Sequence, residues 1–139
     1  MRVQHTEVTV RTGGPVRVHD VTAPVREAIR SANIREGLAV VGVPHTTCAV
    51  CINENETGLV GDIERLARQV LDPVAREGGF AHDRIDHNAR AHLTSILFGH
   101  QTTLAVHAGE PVLGTWQSVF LIELDGPRTR SLYVQVLGE

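Results

Sequence analysis

The chain has no lysine: all 13 of its basic side chains other than histidine are arginine. That excludes Schiff-base chemistry, a lysine general base and the lysine of a Walker-type phosphate loop. Aromatics are scarce at 4%, and the formal net charge is -3. Without stacking side chains or a basic field, nucleic acid is not an expected partner. No run approaches the roughly 18 to 20 apolar residues of a membrane span, and "MRVQHTEVTV" lacks the apolar region of a signal peptide. No membrane association and a cytoplasmic location are the expectations. Only two cysteines are present, too few for a disulfide framework or for a zinc knuckle built from two C-x-x-C pairs.

What is present fits one compact domain over 1–139: 42% apolar residues, 8 histidines and strand-like runs broken by short helical patterns. "HTEVTV", the turn signal "GG" and "PVRVHDV" read as a hairpin. Thr22 then caps a helix with Val25, Ile29 and Ala32 on one face, ended by Gly37. "GLAVVGV" reads as a central strand buried on both faces. After Pro44 the chain continues extended through Ile52. A helix carrying Leu59, Ile63, Leu66 and Val70 follows, ended at "DP". The polar segment "REGGFAHDRIDHN" leads to a helix over "ARAHLTSILFG", with Asn88 as cap and Gly99 as stop. The remainder is β-like, and the whole pattern is α+β, one sheet or a sandwich with helices on one side.

The stretch "HTTCAVCINENE" concentrates the candidate chemistry. Cys48 and Cys51 are three apart in a strand, where side chains alternate between faces, so their Cα atoms stand roughly 10 Å apart, too far for a disulfide. They read as small packing side chains. His45, His82 and His92 have polar company, including Asp83 and Asp86. A loop histidine at 82, one at 92 in the following helix and one at the mouth of a strand can converge as three ligands with an open position, the pattern of catalytic zinc; the alternative is that each is structural. One of Asn53, Glu54, Asn55 and Glu56 suffices to cap the next helix, leaving surplus hydrogen-bonding capacity for a ligand or a subunit neighbour. Trp116 and Gln117 suit a pocket wall.

"VPHTTCAVCINENE", "NARAH" and "GTWQSVFLIELDGPRTRSLYVQVLGE" together resemble the YjbQ-like family, over essentially the whole chain. The resemblance implies an α+β sandwich of mixed β-sheet with two to three helices, assembled as a homotrimer with polar clefts near the subunit boundaries. It implies a secondary thiamine-phosphate synthase activity on small phosphorylated metabolites. The family's histidines fall on His45, His82 and His92, implying a divalent metal ion, zinc rather than magnesium. Its "NEN" and "GTWQ" elements put Asn53, Glu54 and Gln117 on the catalytic side and Thr46, Asn55, Thr115 and Trp116 on the substrate side. Arg65, Arg128 or Arg130 would grip phosphate. Two rival readings stand beside it: a zinc-dependent hydrolase or lyase with Glu54 as general base, and a non-catalytic trimeric metal-binding protein. Asp83 stands where the family carries Asn, and "HAGEP" is about two residues shorter than its counterpart.

Overall fold

Two antiparallel sheets form the frame, and the alternation of side chains along their strands decides which face each buries. The computed structural model describes residues 1–139, with β1 Arg2–Arg11, β2 Arg17–Asp20, β3 Gly37–Gly42, β4 Cys48–Glu54, β5 Gln101–His107, β6 Glu110–Pro111, β7 Gln117–Glu123 and β8 Thr129–Gly138. The helices are α1 Thr22–Ser31, α2 Thr57–Gln69, the single turn α3 Asp72–Ala75 and α4 Ala89–Phe98. A five-stranded sheet has the order β1-β8-β3-β5-β6, and a three-stranded sheet the order β2-β7-β4.

The small sheet is the middle layer. From β4 and β7, Cys48, Val50, Val119 and Leu121 point to the large sheet, where they join Val41, Leu132, Val134 and α1 in one core. The intervening Ala49, Phe120 and Ile122 point the other way and pack with Ala67 of α2 and Ala91 of α4. This is the period of two of a strand, used on both faces. Val25 and Ile29 of α1 and Ala32, just past its end, are all buried, as their spacing predicts.

The α+β sandwich stands as expected, with every strand pairing antiparallel where a mixed sheet was anticipated. The first helix begins at Thr22, with Val21 in the cap position, and stops at Ser31 rather than at Gly37, which opens β3; three further readings change. The first two strands are not a hairpin: β1 pairs with β8 and β2 with β7, so the "GG" turn carries the chain from one sheet to the other. Gly14 serves that crossing by close approach, since a Cβ there would lie 2.5 Å from the carbonyl carbon of Gly126. β3 is central but buried on one face only, and Leu38 on its outer face is 46% exposed. The buried stripe of α2 runs through Val60, Ile63 and Ala67, leaving Leu66 exposed.

One ion pair crosses between the sheets. Glu123 ends β7, and its carboxylate accepts from Arg130 of β8 at 2.5 and 2.9 Å, with both side chains buried. Thr12, just past β1, donates its hydroxyl to the same carboxylate, and Arg130 also donates to the Thr47 carbonyl and hydroxyl oxygens. Burial alone would push the Glu123 carboxyl up; the bonds from Arg130 and Thr12 outweigh it and hold it below its ordinary value. Removing one partner of such a pair leaves an uncompensated buried charge, so Arg130→Met should lower the free energy of unfolding in urea by about 3–5 kcal/mol. A loss under about 1 kcal/mol would mean that the pair is solvated and does not hold the sheets.

Candidate functional site

A cavity of about 510 Å³ opens between the β3–β4 connection and α4, lined by His45, Thr46, His92, Ser95 and His100 with Val43, Pro44 and Ile96. Three histidines and the hydroxyl-bearing Thr46 and Ser95 are among its lining residues, and no Asp or Glu is. Val43 N–H bonds the His100 carbonyl and Val50 N–H the Gly99 carbonyl, so the end of α4 is stitched to β4 across the cavity's base. Ser95 hydroxyl is spent on the Cys48 carbonyl at 2.7 Å, anchoring α4 to the strand. His100 had no polar company in the sequence to distinguish it; the antiparallel pairing of β3 and β5 brings it opposite the 43–45 segment.

His45 is fixed by the backbone of β8. Its Nε2 accepts the Ser131 N–H at 2.9 Å. Only an unprotonated nitrogen can accept that bond, so the neutral ring carries its proton on Nδ1. Burial first, and then the nearby Arg130 charge, lower the His45 pKa below its ordinary 6.5, with the Glu123 charge opposing. His45 is thereby a neutral hydrogen-bond donor in the cavity wall.

His82 and His92 meet edge to face, their ring centroids 4.8 Å apart. Behind them runs a relay: Asn88 donates through Nδ2 to Asp125 at 3.0 Å, which turns its Oδ1 toward His82 Nε2 at 2.9 Å. His82 must therefore donate from Nε2, leaving a lone pair on Nδ1. Asn88 was expected as the helix cap and occupies that position, but its amide is committed to the relay. Asp83 caps instead, accepting the Ala89 N–H at 3.0 Å.

The structure brings His82 to His92, and His92 to the cavity of His45, but it does not close a cage. No three His, Cys, Asp or Glu side chains converge as ligands, and His45 Nε2 is already occupied. The donor set of one chain thus does not fit a three-histidine metal centre, because the third imidazole has no free lone pair.

The other expected residues lie elsewhere. Glu54 closes β4 opposite Gln117 of β7, and six residues of strand put it about 20 Å from the His45 end of β4. As general base for a water at the histidines it is out of reach within one chain. Glu56 caps α2 through the Gly58 and Leu59 N–H groups, Asn53 accepts the Glu54 N–H, and Asn55 bonds Asp20. Gln117 accepts the Gly114 N–H, while Thr115 is exposed and Trp116 is 73% exposed, lining no cavity. Of the four residues of "NENE", only the Glu54 carboxylate is without a partner. Thr46 alone of the substrate-side residues lines the histidine cavity. Arg65 pairs with Asp62, Arg128 with Asp125 and Arg130 with Glu123, so none of the three expected phosphate arginines is free. The two cysteines are free thiols on opposite faces of β4, as their spacing predicts, and burial pushes Cys48 up to about 11.

This arrangement, an antiparallel α+β sandwich with a histidine-lined cavity beside a helix, defines a small-domain class with a ligand-sized pocket. A family model described as UPF0047 protein YjbQ-like matches residues 6–139, and the chain belongs to that family. It is 41% identical to a UPF0047 protein of Archaeoglobus fulgidus, covering 94% of this chain and 99% of the relative. Identity is again 41% to one from Methanothermobacter thermautotrophicus, covering 100% and 95%. Among solved structures it is similar to a YbjQ-like protein of unknown function from Sulfolobus solfataricus, with TM-score 0.93, 35% identity and 99% coverage of both chains. A hypothetical protein from Aeropyrum pernix K1 is similar with TM-score 0.91, 39% identity and coverage of 98% and 99%.

The lowered pKa of His45 has a consequence for stability. The unfolded chain binds its proton first as pH falls, so His45 supports the fold above about pH 6.5 and that support is lost below it. His19, lowered chiefly by burial, acts in the same direction. Urea midpoints measured from about pH 7.5 to 5.5 should therefore fall less steeply for His45→Gln than for the parent chain. Parallel curves would show that His45 is not held neutral.

Proposed function

We propose that the chain is an enzyme that binds a small phosphorylated metabolite in the histidine cavity. The observation that carries this reading is the lining itself: three imidazoles and no carboxylate, in a chain that is acidic overall. Phosphate oxygens accept hydrogen bonds and repel carboxylates, so the cavity favours them. Its volume falls within the roughly 300–1,000 Å³ of small-molecule sites.

The candidate reaction is the one the YjbQ resemblance implies, thiamine-phosphate synthesis. In it a C–O bond of a pyrimidine-methyl diphosphate breaks, pyrophosphate leaves with the electron pair, and the thiazole nitrogen of the second substrate forms the new C–N bond. The protein's part would be to stabilise the departing charge and orient the two substrates. His45, a fixed neutral donor, would hold a leaving oxygen without a proton having to move first. His92, packed on His82, would be the mobile imidazole, and the Asp125–Asn88 relay would hold its neighbour in one tautomer.

Assembly as a homotrimer belongs to the same proposal. Trp116 and Glu54 support it: Glu54 pairs with Gln117, next to Trp116, and a single chain leaves the Trp116 ring 73% exposed and the Glu54 carboxylate without a partner.

A divalent ion, zinc rather than magnesium, is a second reading favoured by one observation. An imidazole that donates its far N–H into an amide–carboxylate relay is the pattern found behind metal-bound histidine, and His82 has it. One chain offers that lone pair beside His92, and any further ligand would have to come from a neighbouring chain. Metal analysis of purified protein at a stoichiometry well below one transition ion per trimer would remove this reading.

The function is tested by incubating purified protein with the two thiamine precursors and measuring released pyrophosphate. We expect turnover that falls by about 100-fold in His92→Ala and in His45→Gln, the order of loss when a proton-transfer or charge-stabilising group is removed. Equal turnover in parent and variants would place the chemistry elsewhere. If no pyrophosphate is released while a phosphate ester still binds with His45-dependent affinity, the cavity reading survives and the synthase reaction does not.

A further inference from the structure

On the opposite side of α4 from the histidine cavity lies a crease of about 220 Å³, between α2, α4 and the loops carrying Pro15 and Asp125. It shares with the histidine-cavity reading only Asn88 and Asp125, the relay behind His82. Its floor is apolar, but its rim carries Arg68, His87 and Arg90.

Three features of the crease bear on an occupant. First, Arg68 makes no ion pair or side-chain hydrogen bond, as is also true of Arg11, Arg17, Arg35, Arg76 and Arg84, so its guanidinium is uncommitted; Arg90, beside it, donates to the Arg68 carbonyl and to Asp72. Secondly, His87 is at φ 57°, in the left-handed region that Asn33 and Ala108 also adopt in this chain and that histidine enters more readily than most side chains. Thirdly, Thr94 in the crease is 1% exposed, and its hydroxyl is the one buried side-chain polar atom of the chain with no hydrogen-bond partner. An orphaned buried hydroxyl is destabilising unless something supplies the missing partner.

Of the acidic groups at the crease, Asp125 is bonded by Arg128 and Asn88 and leaves Arg68 free, whereas Asp72 holds one terminal nitrogen of Arg90. The rim is therefore left with the free guanidinium of Arg68, the remaining donors of Arg90 and the imidazole of His87. The volume is below that of sites for drug-sized ligands and suits a small ion or a single phosphate group.

We propose that this crease is a second binding site, for a phosphate-type oxyanion gripped by Arg68 and Arg90 with His87 as a further donor. Guanidinium presents paired N–H groups matched to phosphate oxygens, which a point charge does not. The left-handed backbone at His87 places that imidazole on the rim, and an oxygen seated near the floor would give Thr94 the partner it lacks. The site stands independently of the histidine cavity, because α4 separates the two. Asn88 nevertheless touches both, lining the crease and bonding His82, so an occupant here bears on the relay behind His92.

The test is a titration of full-length protein with inorganic phosphate at constant ionic strength, followed by backbone amide NMR. We expect saturable shifts at residues 87–91 and 67–68. Arg68→Ala should weaken the affinity by about tenfold, as for loss of one charge-assisted hydrogen-bonding group. Glycine takes the left-handed backbone freely, so His87→Gly should hold or raise the melting temperature while also weakening phosphate binding. Arg35→Ala, which removes an exposed arginine of a different cavity, serves as the control and should leave the shifts at 67–68 unchanged. Shifts that do not saturate, equal affinity in Arg68→Ala and the parent, or loss of binding in His45→Gln with the crease variants unaffected would each overturn the proposal. The last outcome would put the phosphate in the histidine cavity instead.

Discussion

The buried Glu123–Arg130 pair is the constraint from which the rest of the arrangement follows. Each ion alone would be expensive to remove from water, and their mutual attraction offsets that only because the geometry is two-pronged and the remaining oxygens are bonded by Thr12 and the Leu124 and Asp125 N–H groups. The pair ties the end of the small sheet to β8 of the large one. Through Arg130 it also holds Thr47, which ends the connection carrying His45. The next residue of β8 completes the work. Arg130 turns its side chain into the protein, while the Ser131 N–H is left to meet the His45 ring. A single strand thus sets the sheet packing with one residue and the tautomer of a site histidine with its neighbour.

The other wall of the site depends on a local rule being broken. An asparagine before a helix ordinarily satisfies its first N–H groups. Here Asn88 is turned away to connect Asp125 with His82, and Asp83 reaches across the loop to cap the helix in its place. Departures of this kind gather at functional sites, where side chains are committed to a ligand or to each other rather than to the element they sit on. The left-handed backbone of His87, one residue earlier, belongs to the same segment.

Much of this was legible in the amino-acid order. The face of α1 and the free cysteines on opposite sides of β4 follow from spacing and residue type, because period and alternation are local properties; polar company singles out His45, His82 and His92, of which the structure brings His82 to His92 and His92 to the cavity of His45. What spacing does not carry is pairing across the chain. β1 and β2 look like a hairpin until β7 and β8 are seen to claim them separately. "NENE" sits next to the cysteines in sequence, yet a strand is stiff and extended, so Glu54 is carried to the opposite end from His45. His100 entered the site through antiparallel pairing of β3 with β5, and the arginines of the crease through packing of α2 near α4, neither of which leaves a mark in a short window of sequence. That the Ser131 N–H of β8 occupies Nε2 of His45 is likewise a long-range contact that no short stretch of sequence records.

The account rests on His45 being a neutral, oriented donor toward a phosphorylated ligand. The most direct measurement is the proton–nitrogen correlation spectrum of its imidazole at neutral pH, with and without a small phosphate ester. The account predicts a proton on Nδ1, none on Nε2, and displacement of the Nδ1–H signal when the ester is added. A ring protonated on Nε2, a fully charged imidazolium, or an Nδ1–H signal indifferent to saturating ester would contradict it.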